Sequence, residues 1–358
     1  MIKSLHIHQV RRLEETSLSL GPSLNLWVGS NGAGKTSVLE AVSILSSGRS
    51  FVTSRLRSVI AFDQPSLTVF GQVTQASTTH RMAIQVSREE DRKLRLDGAM
   101  ARGQAALSKV LPVLHLTPHE TDLISGTPSD RRRFMDWGAF HWSSGNAASF
   151  TSLRRALLQR NTALRSGILD GAVLEPWERQ IALFGEAVDN WRRSFLDSVK
   201  PLFEVLCRRL ELGIELELQY KNGWGSMPLL DALRESRSRD VKMRTTVVGP
   251  QRADFEIRRS EGRAADTLSR GQLKVANLAL MLAQLQAAAN LGISPVLCLD
   301  DIGAELDKEF LSRVWQEVLE TGVQVLATGI DIDRMGLNSD HVRDANVFHV
   351  KHGIVELD

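Results

Sequence analysis

The sequence predicts an α/β fold that is discontinuous in the chain, with a mainly helical lobe inserted between its two parts. Three observations predict it. An apolar strand, Leu24-Asn25-Leu26-Trp27-Val28, runs into Gly29-Ser30-Asn31-Gly32-Ala33-Gly34-Lys35-Thr36 and then into a helical pattern. A second apolar run, Pro295-Val296-Leu297-Cys298-Leu299, ends late in the chain in the acidic pair Asp300-Asp301. Between them the apolar period changes from that of strands to that of helices and back again. The two ends therefore belong to one domain, residues 1–125 and 241–358, interrupted by a lobe at 126–240.

The elements follow in order. Ile2, Leu5 and Ile7 open a first strand, and Leu24–Val28 is a short buried one. From Thr36 to about Ser46, Val38, Leu39, Val42 and Leu45 recur at helical spacing. Alternation in Leu67-Val69 and Met82-Ile84-Val86 predicts antiparallel strands over 67–97, closed by a turn at Asp97-Gly98. In the lobe, Trp177, Ile181, Phe184, Val188, Trp191, Phe195, Val199 and Leu202 form an apolar stripe at spacings of four and three. Such a stripe is a helix–helix core and too short for a long coiled-coil arm. Alternation at Ile214-Leu216-Leu218-Tyr220 ends the lobe. A helix from Ser269 to Ala289 and strands at Val296–Leu299 and Val323–Ala327 restore the α/β pattern.

Composition excludes several classes. With 42% hydrophobic and 24% charged residues the chain is neither disordered nor low in complexity. A formal charge of +2 rules out a globally basic nucleic-acid binder, so any such partner must be met by local patches. Cys207 and Cys298 stand far apart without zinc-site spacing, and a reduced, cytosolic protein is expected. The N-terminal residues show no signal-peptide pattern, and no apolar run reaches bilayer length, so no membrane association is expected.

The chemistry lies in three separated segments. Glycines at 29, 32 and 34 let backbone N–H groups turn around phosphates, at the positive end of the following helix. Lys35 supplies a point charge and the Thr36 hydroxyl is placed to ligate Mg²⁺. Asp300 ends a wholly apolar strand, where a carboxylate is costly without a task; coordination of Mg²⁺ opposite Thr36 is the expected one. Asp301 stands where a base orienting an attacking water belongs, and its reach, shorter than that of glutamate, predicts slow hydrolysis. Leu268-Ser269-Arg270-Gly271-Gln272 starts a helix with Ser269 as N-cap. The Ser269 hydroxyl, the Gly271 amide and Gln272 at that helix start are expected to hold the γ-phosphate of ATP bound on a second subunit. Glu305-Leu306-Asp307 fits a loop at the dimer interface, and Thr328 the place of a γ-phosphate sensor.

In order and spacing these motifs resemble the ABC-type P-loop ATPase heads of the SMC and DNA-repair kind. Val10-Arg11-Arg12, Gly48-Arg49-Ser50-Phe51, Thr117-Pro118, Arg131-Arg132-Arg133-Phe134-Met135-Asp136-Trp137 and Gly249-Pro250-Gln251-Arg252-Ala253-Asp254 narrow the likeness to the bacterial RecF family, from the first strand to the C-terminus. The resemblance implies an ATP-dependent homodimer with weak ATPase activity that binds single- or double-stranded DNA at gaps. It also implies work with RecR, and indirectly RecO, in loading RecA during recombination, DNA replication and the SOS response. By the same resemblance Arg11 reaches the nucleotide phosphates. Arg12, His119 and Gln251 depart from the family pattern, where asparagine, an acid and histidine are usual.

The densest basic clusters are Arg131-Arg132-Arg133 and Arg154-Arg155 with Arg160 and Arg165. At helical spacing such residues follow a phosphate backbone with little sequence choice. Two alternatives fit the nucleotide motifs, a transporter ATPase and an SMC-like structural chromosome protein. The first calls for a glutamate after the strand aspartate and a switch histidine, the second for a long heptad arm.

Overall fold

The computed structural model describes residues 1–101, 103–116, 122–142, 146–167, 171–303 and 307–357, in two compact units. One comprises Met1–Glu120 and Ala288–Asp358, the other Thr121–Ala287. The chain opens with β1 (Ile2–Val10), β2 (Leu13–Ser19) and β3 (Leu24–Val28), followed by α1 (Lys35–Ser47). Next come β4 (Ser66–Gln75), β5 (Thr78–Ser87), β6 (Lys93–Leu96), β7 (Ala99–Met100), α2 (Gln104–Val110) and β8 (Val113–Leu116). The second unit holds α3 (Pro128–Trp142), α4 (Asn146–Arg165), α5 (Gly171–Arg209), β9 (Glu217–Lys221), α6 (Leu229–Met243), β10 (Asp254–Arg259), β11 (Gly262–Arg263), α7 (Ala264–Thr267) and most of α8 (Arg270–Asn290). The chain then returns to the first unit with β12 (Val296–Leu299), α9 (Lys308–Leu319), β13 (Val325–Gly329), α10 (Ser339–Arg343), β14 (Asn346–Lys351) and β15 (Ile354–Leu357).

In the first unit two six-stranded sheets form, in the orders β2-β1-β4-β5-β6-β7 and β15-β14-β3-β13-β12-β8. The first is antiparallel throughout. Its inward residues on β1 are Ile2, Leu5, Ile7 and Val10, a pattern that departs from strict alternation. A bulge between Ile2 and Ser4, and the left-handed backbone of Gln9, account for the two extra steps. In the second sheet β8, β12, β13, β3 and β14 run parallel. Strands covered on both faces read as continuous apolar runs, and all five residues of β3 are buried. Helix α1 is buried almost all round, from Lys35 to Ser46, against Val69, Ile84 and other core residues.

In the second unit α5 is one continuous helix of 39 residues despite Pro176 and Pro201, roughly 60 Å long. It is not a free arm, since α3, α4 and α6 pack along it. Ile181, Val188 and Phe195 of the expected stripe are buried, whereas Phe184 and Trp191 lie at its partly exposed border. The division into units differs from the one the sequence suggests, because residues 241–287 join the second unit. Their ties are specific: β10 pairs antiparallel with β9, and Asn277 and Gln284 of α8 bond to the backbone of Leu123 and Phe134.

That unit is held by a charged cluster in its interior. Arg160, Glu178 and Asp240 have fully buried side chains, with Arg160 Nη2 at 2.9 Å from Glu178 and 2.7 Å from Asp240. Arg160 Nη1 donates to Thr246 Oγ1 at 2.8 Å, and Arg237 closes the cluster on Glu178. Replacing Arg160 by Ala leaves Asp240 buried without its cation and Glu178 with Arg237 alone, and we expect a loss of about 3–5 kcal/mol in chemical denaturation. Arg154→Ala, an exposed change one and a half turns away on α4, is expected to stay within about 0.5 kcal/mol.

Candidate functional site

The glycine-rich loop is suspended between β3 and α1. An added Cβ at Gly29 would stand 2.3 Å from the Val350 carbonyl oxygen, so β14 admits only glycine there. Gly32 and Gly34 take φ of +75° and +117°, which turn the loop back on itself. The Gly353 N–H donates to the Ala33 carbonyl at 2.9 Å, so the β14–β15 turn supports the loop from the far side. No side chain caps the N-terminus of α1, and no acidic residue lies in its first turn. Its first N–H groups are thus left for an anion. Lys35 Nζ donates to the Gly29 and Ser30 carbonyls at 2.7 and 3.1 Å, which aligns the ammonium along the loop. Ser30, Asn31 and Gly32 are exposed.

Asp300 lies beside this loop. Its Oδ1 accepts from Thr36 Oγ1 at 3.1 Å and from Thr328 Oγ1 at 2.6 Å. Burial raises its pKa above the ordinary carboxylate value, and the two hydroxyl donors work against that shift. Asp301 follows in the left-handed region, φ +54°, its N–H donating to Thr328 Oγ1 at 2.9 Å. Among the described residues no group of three His, Cys, Asp or Glu side chains could hold a metal ion. A cation here would therefore rest on one hydroxyl and one carboxylate and share the oxygens of a bound phosphate, the donor set that suits Mg²⁺.

Two arginines of the β1–β2 turn divide the work differently from the expectation. Arg11, at φ +56°, forms a fork with Glu40 through Nε (2.8 Å) and Nη2 (3.0 Å). Glu40 is buried within α1 and also accepts from Ser50 Oγ at 2.5 Å. Arg12 is the one that reaches the loop, its Nη1 donating to the Gly32 carbonyl at 2.8 Å. Sequence reasoning gave Arg12, Glu40 and Ser50 no role at the site. The one carboxylate in α1, among residues buried almost all round, and a double arginine at a hairpin turn were the available signals.

In the second unit Ser269 and Gln272 form a reciprocal capping box. The Gln272 N–H donates to Ser269 Oγ at 3.3 Å, and the Ser269 N–H donates to Gln272 Oε1 at 2.9 Å. Ser269, Arg270 and Gly271 are exposed, and a Cβ added at Gly271 meets nothing within 4 Å. Packing within the unit therefore gives no reason for glycine in a first helical turn, where it costs helix stability.

The basic clusters separate into struts and surface. Arg131 is nearly buried, forked to Asp254 at 2.7 and 3.0 Å, and donates to the Leu123 and Gly126 carbonyls. Its expected role in holding DNA is corrected: its donors are spent inside the unit. The same holds for Arg160 in its buried cluster. Arg132 donates to the Ala253 carbonyl at 3.1 Å, and Arg133 is exposed beside Asp130 at 2.9 Å. Arg154 and Arg155 lie exposed on α4. Thr117, Pro118, His119, Glu305 and Leu306 lie outside the described residues.

The family model described as RecF/RecN/SMC N terminal domain matches residues 1–355. The chain is 38% identical over 352 residues to the DNA replication and repair protein RecF of Pseudomonas syringae pv. tomato, covering 96% of this chain and 95% of that one. A solved structure of the recombination mediator protein RecF-ATP in the RecFOR pathway superposes with a TM-score of 0.87 at 24% identity, over 100% of this chain and 97% of the other. An Smc head bound to the C-winged helix domain of ScpA superposes with a TM-score of 0.59 at 14% identity, covering 100% and 97%. These two likenesses concern the fold.

Asp300→Asn keeps an oxygen acceptor for both threonines and removes the buried charge. We expect it to raise the thermal unfolding midpoint of the ligand-free protein, by about 0.5–2 kcal/mol in stability. Because the folded-state pKa is raised, the gain should be full at neutral pH. It should vanish below the ordinary carboxylate range, where both states hold the proton. A midpoint that falls at neutral pH would sink this account.

Proposed function

Because the chain belongs to the RecF family, we propose that it is an ATP-dependent DNA-binding protein of recombinational repair, acting as an ATP-gated homodimer. It binds DNA at gaps and, with RecR and indirectly RecO, helps load RecA, in support of DNA replication and SOS induction in the cytoplasm. The observation that carries the gating is the exposed start of α8. A capped serine and a glycine with open space around it offer a hydroxyl and a backbone N–H to a ligand on another subunit.

The roles follow from the chemistry of the side chains. Backbone N–H groups of Gly29–Thr36 take the β- and γ-phosphates of ATP, and Lys35 turns its ammonium from the loop carbonyls to them. Thr36 and Asp300 would hold Mg²⁺, which would supply positive charge to the phosphates. Thr328 keeps the Asp300 oxygen in place through its 2.6 Å hydrogen bond. Asp301 orients the water, with the modest rate a short carboxylate allows. The partner copy's Ser269 and Gly271 close on the γ-phosphate, with Gln272 holding the cap. Arg11 is drawn toward the phosphates only by giving up Glu40, so in this geometry Arg12 is the nearer cation. Arg154 and Arg155, with Arg133, contact DNA phosphates and give an affinity that falls with salt.

Sedimentation velocity with ATP and Mg²⁺ tests the gating. Wild type should sediment as a dimer, Lys35→Met as a monomer with nucleotide affinity weakened by about tenfold or more. Ser269→Arg should bind ATP as wild type does and stay monomeric. A Ser269→Arg protein that dimerises normally would falsify the composite site.

A further inference from the structure

The second unit carries an open cavity of about 610 Å³, lined by no residue given a role above. Arg193, Tyr220, Lys221, Asn222, Trp224 and Ser226 line it, with Gly223, Gly225 and Val248. Its size falls within the roughly 300–1,000 Å³ of small-ligand sites.

The lining is built and not incidental. Asp189, nearly buried, accepts from the Tyr220 hydroxyl at 2.5 Å and from Arg193 Nε at 2.7 Å. The Arg193 guanidinium lies over the Tyr220 ring, 5.0 Å from its centroid. One buried carboxylate therefore fixes a ring and a cation together, and its own charge is neutralised. In the loop that follows β9, Asn222 Oδ1 accepts from the N–H groups of Trp224 and Gly225 at 3.0 and 2.9 Å, and Asn222 Nδ2 donates to the Gly225 carbonyl at 2.7 Å. Gly223 has φ +93°, and a Cβ there would stand 2.5 Å from the Gly249 carbonyl oxygen, so the backbone of this loop is held against residues 249–253. Trp224 itself packs partly against the apolar cluster of Leu153, Ile181 and Val188. It is thus presented at the cavity at little cost in conformational entropy.

Trp224 and the Tyr220 ring under Arg193 stand beside two cations, Arg193 held on Asp189 at 2.7 Å and the half-exposed Lys221 held on Glu256 at 2.6 Å, each with further N–H donors, and this suits a flat π system joined to a phosphate. Duplex DNA offers no free base face, because its bases stack on one another. A single strand does, and every base has one, so such a site tolerates sequence. We propose that this cavity is a base-stacking site for single-stranded DNA, in which a nucleobase lies against Trp224 while Arg193 and Lys221 meet the flanking phosphates with the N–H donors their carboxylates leave open. The site rests on the DNA-binding reading above and deepens it by naming the form of strand engaged.

Fluorescence anisotropy of the full chain with a fluorescein-labelled oligothymidylate, and separately with a blunt duplex of equal length, tests it. Trp224→Ala is expected to weaken oligothymidylate binding by about tenfold and to leave the duplex unchanged. Trp224→Phe should recover most of the loss, and Arg193→Gln, which leaves the tryptophan loop intact, should weaken the single strand alone and flatten its salt dependence. Wild-type affinity for oligothymidylate in both Trp224→Ala and Arg193→Gln overturns the site, as does equal loss on both probes in correctly folded variants. Retained affinity for both DNAs with loss of RecR binding marks the cavity as a protein-docking surface and also overturns it. If wild type bound neither probe, the DNA-binding reading itself would fail. Failure of the stacking site alone leaves duplex binding in place.

Discussion

The two hydroxyls that meet on Asp300 are the constraint around which the α/β unit is organised. Thr36 brings the first turn of α1, Thr328 brings the end of β13, and Asp300 directly follows β12. A carboxylate at the end of an apolar strand is unfavourable by itself, and burial raises its pKa accordingly. The helix and the two parallel strands are registered to one another where they share its oxygen. Asp301 then departs into left-handed backbone, anchored by the same Thr328 hydroxyl. Strain and buried charge thus sit side by side where the proposed chemistry lies, and the surrounding apolar sheet keeps them there.

The internal economy of the second unit is different. Its interior spends arginines as struts: Arg131 on Asp254, Arg160 on Glu178 and Asp240, and Arg192 on Asp136 and the Pro250 carbonyl. Guanidinium suits this use because its planar fork satisfies a carboxylate and a carbonyl together. Near Arg192, Asp136 has its pKa raised by burial, with the guanidinium drawing it back down. The price of each buried ion is met only while all partners stay in place, so the unit tolerates little loss from these clusters.

Local signals were legible from the residues and long-range partners were not. The loop of glycines, β12 at Val296–Leu299 and the turn at Asp97-Gly98 stand where periodicity and turn chemistry put them. The helix α8 begins one residue after its serine cap, as expected. By contrast β14 and β15 escaped notice, since six residues with His349 and Lys351 among them form a weak pattern. Arg131 and Arg154 looked alike because the difference between them is Asp254, 123 residues from Arg131. Arg11 was aimed at phosphate by likeness, whereas Glu40 claims it through a contact between elements that spacing does not encode. The same blindness misplaced the border of the lobe: the pairing of β9 with β10, which carries residues beyond 241 into the second unit, joins segments separated by a whole helix.

The position of β3 has a consequence for how the protein is made. Its neighbours on either side are β13 and β14, and the loop that follows it leans on Val350 and Gly353. During synthesis, residues 24–36 leave the ribosome long before any of these supports exist. Until then the most recognisable motif of the chain is an apolar strand without a sheet, followed by an unsupported glycine turn. Such a segment must be shielded or kept from premature pairing while some three hundred further residues are added, roughly fifteen to sixty seconds at ordinary elongation rates. The motif that emerges among the first is therefore among the last to take its shape.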